Sequence, residues 1–443
     1  MTPNRVLLTA AVAGAAGAVL LPLDRPGLGW VLTALVVFGL LRRVAPGWAA
    51  LSTALFAVGA FLAAEWLFAL CAVAGCAAGS LAVAGGRTAR GLVLGSVAVP
   101  VASFRALPWL ARGLRGGGVP AAARPVLVTV ALLLVFVPLL AGADESFADL
   151  LGTLTPEADG VSLVVFPLVA LGVLGACHLL AVPVDLDGTA RPARRVARRD
   201  WALPVGALVA LFAAFAGVQL TTLLAGDAHV VTTDGLTYSG YARTGFWQLL
   251  AVTVLTLGVI APVARFARLD TDRDRTWLRG LLGALAVLTL VIVASALTRM
   301  WLYQQAYGFT VPRLLVLACE LWLGAVYLLV IAAGVELDGA RLARAVVATG
   351  FGALLVLAAL DPDRFVAERN VERWQRYGTI DLPYLSTLSD DAVPAILTLP
   401  DHLRDCAFAM RGPFTADDWR TWNLGREIAR RRTAEAGLTA CGP

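Results

Sequence analysis

Residues 278–303 read LRGLLGALAVLTLVIVASALTRMWLY, a stretch whose only charges are Arg279 and Arg299. A helix needs about 20 apolar residues to cross the ~30 Å hydrocarbon core of a bilayer, and lipid offers no water to satisfy any open backbone there. The stretch therefore reads as a membrane span. Ten further apolar runs surround it, at approximately 6–21, 28–41, 47–64, 66–84, 125–141, 160–182, 201–225, 245–266, 310–334 and 342–360. The run at 28–41 is the shortest. The first run also has the look of a secretory leader, with Arg5 ahead of it and small residues from Gly14 to Ala18; against that, Pro22 follows directly and no clear cleavage site precedes the next run.

Composition agrees with this reading. Hydrophobic residues make up 59% of the chain and charged residues 15%, far from the balance of a soluble domain. The expected fold class is all-α, a polytopic helical membrane protein of about eleven spans with a small helical C-terminal extension. All 36 basic residues are arginine, and none is lysine. They cluster beside spans and lack the interleaved polar surface of a nucleic-acid groove, so the pI near 9.1 points to membrane orientation and away from nucleic acid.

Arginine counts near span ends set that orientation. Alternate loops hold Arg42 and Arg43, then six arginines between Arg87 and Arg124, five between Arg191 and Arg199, five between Arg265 and Arg279, and Arg341 with Arg344, whereas the intervening loops hold only Arg25 and Arg243. The loop from Gly142 to Gly160 carries Asp144, Glu145, Asp149, Glu157 and Asp159 and no base. The expectation is a multi-pass cell-membrane protein with a cytoplasmic N-terminus and an extracytoplasmic C-terminus. Residues 91–110 interrupt the scheme, being apolar but flanked by arginines on both sides. Pro100, Arg105, Pro108, Trp109 and Arg112 suit an interfacial helix, with a twelfth short span as the alternative.

Four regions follow: residues 1–84 with four spans, 85–124 as a basic cytoplasmic loop with its interfacial helix, 125–360 with about seven spans, and a polar helical tail from 361 to 443. In the tail, Thr415-Ala416-Asp417-Asp418 resembles a capping box ahead of Trp419 and Trp422. Cys406 and Cys441 both lie in it, where an extracytoplasmic location permits a disulfide; two unrelated thiols are the alternative.

The chemistry-bearing residues concentrate in the ninth and tenth spans. Ser295, Arg299, Tyr303 and Tyr307 recur every four positions, one helix face, and Arg313, Glu320 and Tyr327 recur every seven on the next helix. Glu320 lies about 15 Å into its span at ~1.5 Å per residue, where a charge costs at least ~2.5–3.5 kcal/mol. Gln219, Thr221, Thr222 and Gln248 add polar groups in the same half of the membrane. Three readings compete: a structural ion pair between Glu320 and the arginines, an anion pocket in which Arg299 and Arg313 grip a head group, and a proton relay through Glu320. His178, His229 and His402 are solitary, Gly116-Gly117-Gly118 lacks a phosphate-binding lysine, and no cofactor motif or metal cluster is present.

The run Tyr238-Ser239-Gly240-Tyr241-Ala242-Arg243-Thr244-Gly245-Phe246-Trp247-Gln248-Leu249-Leu250 resembles a signature of bacterial membrane proteins grouped as the domain of unknown function 4153/4173 family. The resemblance continues at Ser295, Arg299, Leu302-Tyr303, Tyr307-Gly308-Phe309-Thr310 and Arg313, then at Asn370-Val371-Glu372-Arg373, Asp381-Leu382-Pro383-Tyr384-Leu385, Leu388-Ser389 and Asp391-Ala392-Val393-Pro394, covering residues 125–400. It implies that the loop at Tyr241 and the tail motif of Asn370, Arg373, Asp381 and Tyr384 form one unit with spans seven to eleven; no activity comes with it.

The sequence thus favours a non-enzymatic membrane protein whose outward polar cavity binds or passes an anionic amphiphile or envelope precursor. Arg299 and Arg313 would bind the charge beside Tyr303 and Tyr307, Glu320 would orient arginine or hold a proton, and Tyr241 with Arg243 would close the mouth. An anionic lipid or lipid-linked precursor is the expected ligand. The alternatives are a scaffold whose tail recruits an envelope protein, and a membrane-embedded transferase, for which outer Asp227 and Asp234 offer no paired-carboxylate motif.

Overall fold

The computed structural model describes residues 3–115, 160–188, 195–224, 238–336 and 339–437. Regular structure in them is helical, with one isolated bridge between Val196 and Ala267. In chain order the helices are α1 (Pro3–Leu20), α2 (Leu28–Leu41), α3 (Pro46–Phe61), α4 (Glu65–Ala84), α5 (Ala89–Ser96), α6 (Ala98–Arg115), α7 (Gly160–Ala181), α8 (Arg198–Leu224), α9 (Tyr238–Phe266), α10 (Asp272–Tyr307), α11 (Val311–Glu336), α12 (Gly339–Ala359), α13 (Pro362–Tyr377), α14 (Leu382–Thr387), α15 (Val393–Ile396), α16 (Asp401–Ala409) and α17 (Leu424–Glu435). Seven of them, α4 and α7 to α12, are long and apolar enough to cross a membrane, and α5 with α6 makes an eighth if that bent pair is one span. The chain is a polytopic all-α membrane protein. Helices α1, α2 and α3 match expected runs but fall short of the length of those seven, and the expected span at 125–141 lies outside the described residues. Apolar side chains such as Leu211, Leu255, Leu328 and Val356 point out of the bundles, a surface that suits lipid and not water.

The chain divides into two compact units. The first comprises Met1–Gly188, Leu354–Asp361 and Pro383–Pro443; the second comprises Thr189–Ala353 and Pro362–Leu382. In the first, α1 runs antiparallel to α7 at close range. A Cβ on Gly14 would fall 2.8 Å from the Phe166 carbonyl, and one on Gly17 would fall 2.8 Å from Val169; such small residues are what lets membrane helices approach.

The segment expected to lie on the membrane as a single helix forms two helices, α5 and α6, bent by 60° and packed against α4 and α7. The bend frees a carbonyl and an amide, and both find the same partner: the Ser80 hydroxyl donates to the Gly95 carbonyl at 2.5 Å and accepts from the Val99 amide at 3.0 Å. At the start of α5, Thr88 caps by accepting from the Gly91 amide, and Asp187 accepts from the Arg87 and Thr88 amides and the Thr88 hydroxyl.

The C-terminal segment of this unit closes three helix ends. The Asp391 carboxylate accepts from the Ala63 and Ala64 amides at 2.7 and 3.1 Å, ahead of α4. Asn423 donates to the Gly59 and Leu62 carbonyls at the end of α3. The amides of Leu28 and Gly29, at the start of α2, donate to the carbonyls of Trp422 and Arg420. Buried Arg426 is held by Asp417 at 2.9 Å and donates to the carbonyls of Pro26 and Thr421. The helix start expected at Thr415-Ala416-Asp417-Asp418 is instead a turn, in which Asp418 accepts from the Arg420 and Thr421 amides. The helix begins later, at Leu424, capped by the Asn423 side chain. The side-chain oxygen that was expected to cap a helix here caps a local turn, a competition intrinsic to Asp.

In the second unit, α8 to α11 enclose a core that includes Phe212, Leu285, Ile292 and Tyr327. Tyr327 is buried, and its hydroxyl donates to the Thr253 carbonyl at 2.6 Å. Helix α10 has 36 residues, about 54 Å at ~1.5 Å per residue, so it outreaches the hydrocarbon core. A capping box of Thr271 and Asp274 starts it.

Two outcomes follow from these end-closing contacts. Asp391→Ala strips both partners from buried amides and is expected to destabilise the protein by about 1–3 kcal/mol, read as a lowered thermal unfolding midpoint in detergent. Hydrogen bonds, first from the Thr88 amide and then from Arg87, hold the Asp187 carboxyl below its usual value against the opposing effect of burial. A depressed folded value means its contribution is complete above the unfolded value of about 3.9 and disappears as pH falls through the lower folded value. Asp187→Asn should remove that acid-dependent component from unfolding midpoints measured between neutral pH and pH 3, and an unchanged profile would refute the assignment.

Candidate functional site

The polar residues of α10 and α11 gather at one end of their antiparallel hairpin. Ser295 is buried, Arg299 is half-buried, and the Arg299 guanidinium donates to the Gln219 side-chain carbonyl of α8 at 2.8 Å. One turn and two turns beyond it, the rings of Tyr303 and Tyr307 lie 4.9 Å apart at 34°. The Arg313 guanidinium sits over the Tyr303 ring at 4.6 Å, a cation–π distance. Tyr303, Tyr307 and Arg313 are thus in mutual contact, with Arg299 one turn before Tyr303 on the face expected from four-residue spacing.

The two arginines are used differently. Arg313 donates to the Gly308 carbonyl at 2.7 Å and the Tyr307 carbonyl at 3.4 Å, and Arg373 of α13 donates to the Ala306 carbonyl at 2.8 Å. These carbonyls end α10, where backbone acceptors lack intrahelical donors and the helix dipole favours cations. Gly308 has φ +87, a conformation that a side chain would strain, and a Cβ there would meet the Asn370 oxygen at 3.0 Å. Asn370 completes the closure with a paired amide: its oxygen accepts from the Phe309 amide at 3.0 Å, and its nitrogen donates to the Phe309 carbonyl at 2.8 Å and the Val366 carbonyl at 3.0 Å. Phe309 packs edge-on to Trp301 and Phe365. Segments 306–313 and 366–373 therefore form one locked turn.

Glu320 is fully buried on α11, and neither carboxylate oxygen has a hydrogen-bond partner in the structure. The ion pair considered between Glu320 and the two arginines is not formed. Gln304 is in the same condition, fully buried with both amide atoms unpartnered. Sequence reasoning missed Gln304 because it stands one position off the Arg299–Tyr303–Tyr307 stripe; its only signal was a second amide residue, Gln305, beside it in an apolar helix. Gln248 is exposed on α9.

The remaining expected residues fall elsewhere. Tyr241 and Arg243 lie in the first turns of α9, with their side chains outside the described residues, as are the side chains of Thr221 and Thr222. Asp381 is exposed just before α14, and Tyr384 is half-buried on it. Cys406 is an exposed thiol on α16, and Cys441 lies outside the described residues. Among the described residues no group of three or more His, Cys, Asp and Glu converges.

With this geometry established, the relationship to known sequences is direct. A family model described as a domain of unknown function, DUF4153, matches residues 50–399. The chain belongs to the DUF4153 family. No curated protein and no solved structure gave a match. The DUF4153 match takes in both halves of the locked turn, Ala306 to Arg313 and Asn370 to Arg373, and within those motifs Arg313, Asn370 and Arg373 close the end of α10.

Asn370→Ala leaves the Phe309 amide and carbonyl unpaired and should lower the thermal unfolding midpoint, by about 1–3 kcal/mol of stability. Gly308→Ala should do likewise through backbone strain of about 1–3 kcal/mol. Both midpoints are to be measured in the same detergent as the wild type; wild-type midpoints would show that the turn holds without them.

Proposed function

We propose that this protein is a multi-pass cell-membrane protein that holds an anionic amphiphile, such as an anionic lipid or lipid-linked precursor, at the α10–α11 end of its second unit. The observation that carries the reading is the surface made by Arg299, Tyr303, Tyr307 and Arg313. Two guanidiniums and two phenols stand together at the end of membrane-crossing helices, the depth at which head groups lie and at which tyrosine and arginine are favoured. Arg299, aimed by Gln219, is the residue assigned to the head group, because a planar guanidinium matches phosphate or carboxylate oxygens. Arg313 adds positive field while its hydrogen bonds shape the turn. Glu320 holds a proton, since an unpaired carboxylate in that position would cost several kcal/mol. Arginine asymmetry supports a cytoplasmic N-terminus, which puts this end of the hairpin on the outer side.

A scaffold acting through the C-terminal segment has one observation in its favour: Trp419, Trp422 and Ile428 are exposed on a segment otherwise anchored by buried polar contacts. Exposed aromatic residues mark contact surfaces.

Native mass spectrometry of the protein in its own membrane patch separates these readings. The wild type should carry a discrete anionic species that Arg299→Gln loses by at least tenfold, while Arg313→Ala should chiefly lower the unfolding midpoint. A ligand-free spectrum for wild type and Arg299→Gln alike would overturn the amphiphile reading and leave the scaffold.

A further inference from the structure

At the other end of the second unit, α8 and α9 part to form a groove of about 420 Å³, a size that takes small ligands. Its walls are apolar, formed by Pro204, Leu208, Val259, Pro262, Val263 and Phe266, with Asp200 at one end. Pro204 and Pro262 stand inside their helices, where proline removes a backbone hydrogen bond and bends the helix. The groove runs from Trp201 to Leu208, about 10 Å at ~1.5 Å per residue. Between the helices its closed end is fixed by backbone pairing: the Val196 amide donates to the Phe266 carbonyl at 2.9 Å, and the Arg268 amide donates to the Val196 carbonyl at 3.0 Å.

Three observations determine what fills it. An apolar trough beside membrane-crossing helices faces acyl chains. Its closed end is cationic: Arg199 has a side chain 91% exposed, Arg195 and Arg265 are exposed one position from the lining residues Val196 and Phe266, and the amino end of α8 adds its dipole. One carboxylate, Asp200, lines this end, 3.9 Å from Arg199, while Asp270 and Asp274 are taken up at 3.0 Å by Arg268 and Arg198, so the arginines outnumber the free carboxylates there. Finally, Trp201 lines the groove at 4% exposure, so its ring forms part of the wall with its indole N–H turned into the protein.

We infer that this groove is a docking site for one anionic glycerophospholipid of the leaflet facing the arginine-rich loops, with an acyl chain along Trp201, Pro204 and Pro262 and the head group against Arg199 and Arg265. It is a second site, independent of the Arg299 surface, at the opposite end of the same unit. Lipid bound here wedges α8 from α9 and couples the packing of the unit to the anionic content of that leaflet.

The test uses the full chain in nanodiscs and the tryptophan emission that Trp201→Phe removes. Phosphatidylglycerol with brominated acyl chains is titrated into phosphatidylcholine discs, with brominated phosphatidylcholine as the control. The Trp201-dependent emission should be quenched at a several-fold lower mole fraction of the anionic lipid than of the zwitterionic one. Arg199→Gln with Arg265→Gln, which retains Trp201 as the reporter, should erase that difference. Equal quenching by both lipids in the wild type would overturn the anionic site, and absence of Trp201-dependent quenching would overturn the groove as a lipid site. Since Arg299→Gln leaves these residues untouched, the quenching result stands or falls separately from the amphiphile reading.

Discussion

Lipid accepts no backbone hydrogen bonds, and the structure is organised by that refusal. Helices satisfy their own interiors, so the cost concentrates at ends and bends, where four amides or four carbonyls are left without intrahelical partners. The protein assigns side chains to those places. Ser80 serves both groups freed at the bend between α5 and α6; Asp391 and Asn423 close α4 and α3; Arg313, Arg373 and Asn370 close the end of α10. Much of what is polar and buried outside the site is accounted for by this one requirement.

The same requirement explains how a chain whose basic residues are all arginine uses them for different ends. A guanidinium offers five donors in a rigid plane and stays charged, so it can hold two carbonyls at once without a counter-charge. Arg313 does this at a helix carboxyl end, where Arg373 takes one further carbonyl and the dipole helps both. Arg426 does it in a buried place and takes Asp417 as its counter-ion. Lysine, with a compact, strongly hydrated charge, would meet a larger desolvation cost in either place.

The helical class and the position of most spans were legible in the sequence because a bilayer converts composition into structure: an apolar run of sufficient length has one outcome. The stripe at Arg299, Tyr303 and Tyr307 was legible for a related reason, since spacing of four defines a helix face. What a side chain on that face touches is not encoded in spacing. Arg313 could be read as a ligand-holding residue, whereas its acceptors are carbonyls five and six positions back; Asp391 gave no local sign that it serves Ala63 and Ala64, more than 300 positions earlier. Thr415-Ala416-Asp417-Asp418 had the letters of a helix start, but the chain spends Asp418 on a turn and Asp417 on Arg426. The bend at Ser96 to Ala98 was hidden because Ser80, the residue that makes it affordable, belongs to another helix.

Glu320 and Gln304 stand apart from this economy. Arg313, Arg373 and Asn370 close the backbone end of α10, yet these two, fully buried on the same hairpin, close nothing. A carboxylate held so deep is stable only as the neutral acid or beside a partner supplied from outside the chain, and an amide with both ends unsatisfied has the same need. Stability alone would favour leucine at either position. The polar groups of this hairpin thus fall into two sets, those that close backbone ends and the pair Glu320 and Gln304, which the chain itself leaves unpaired.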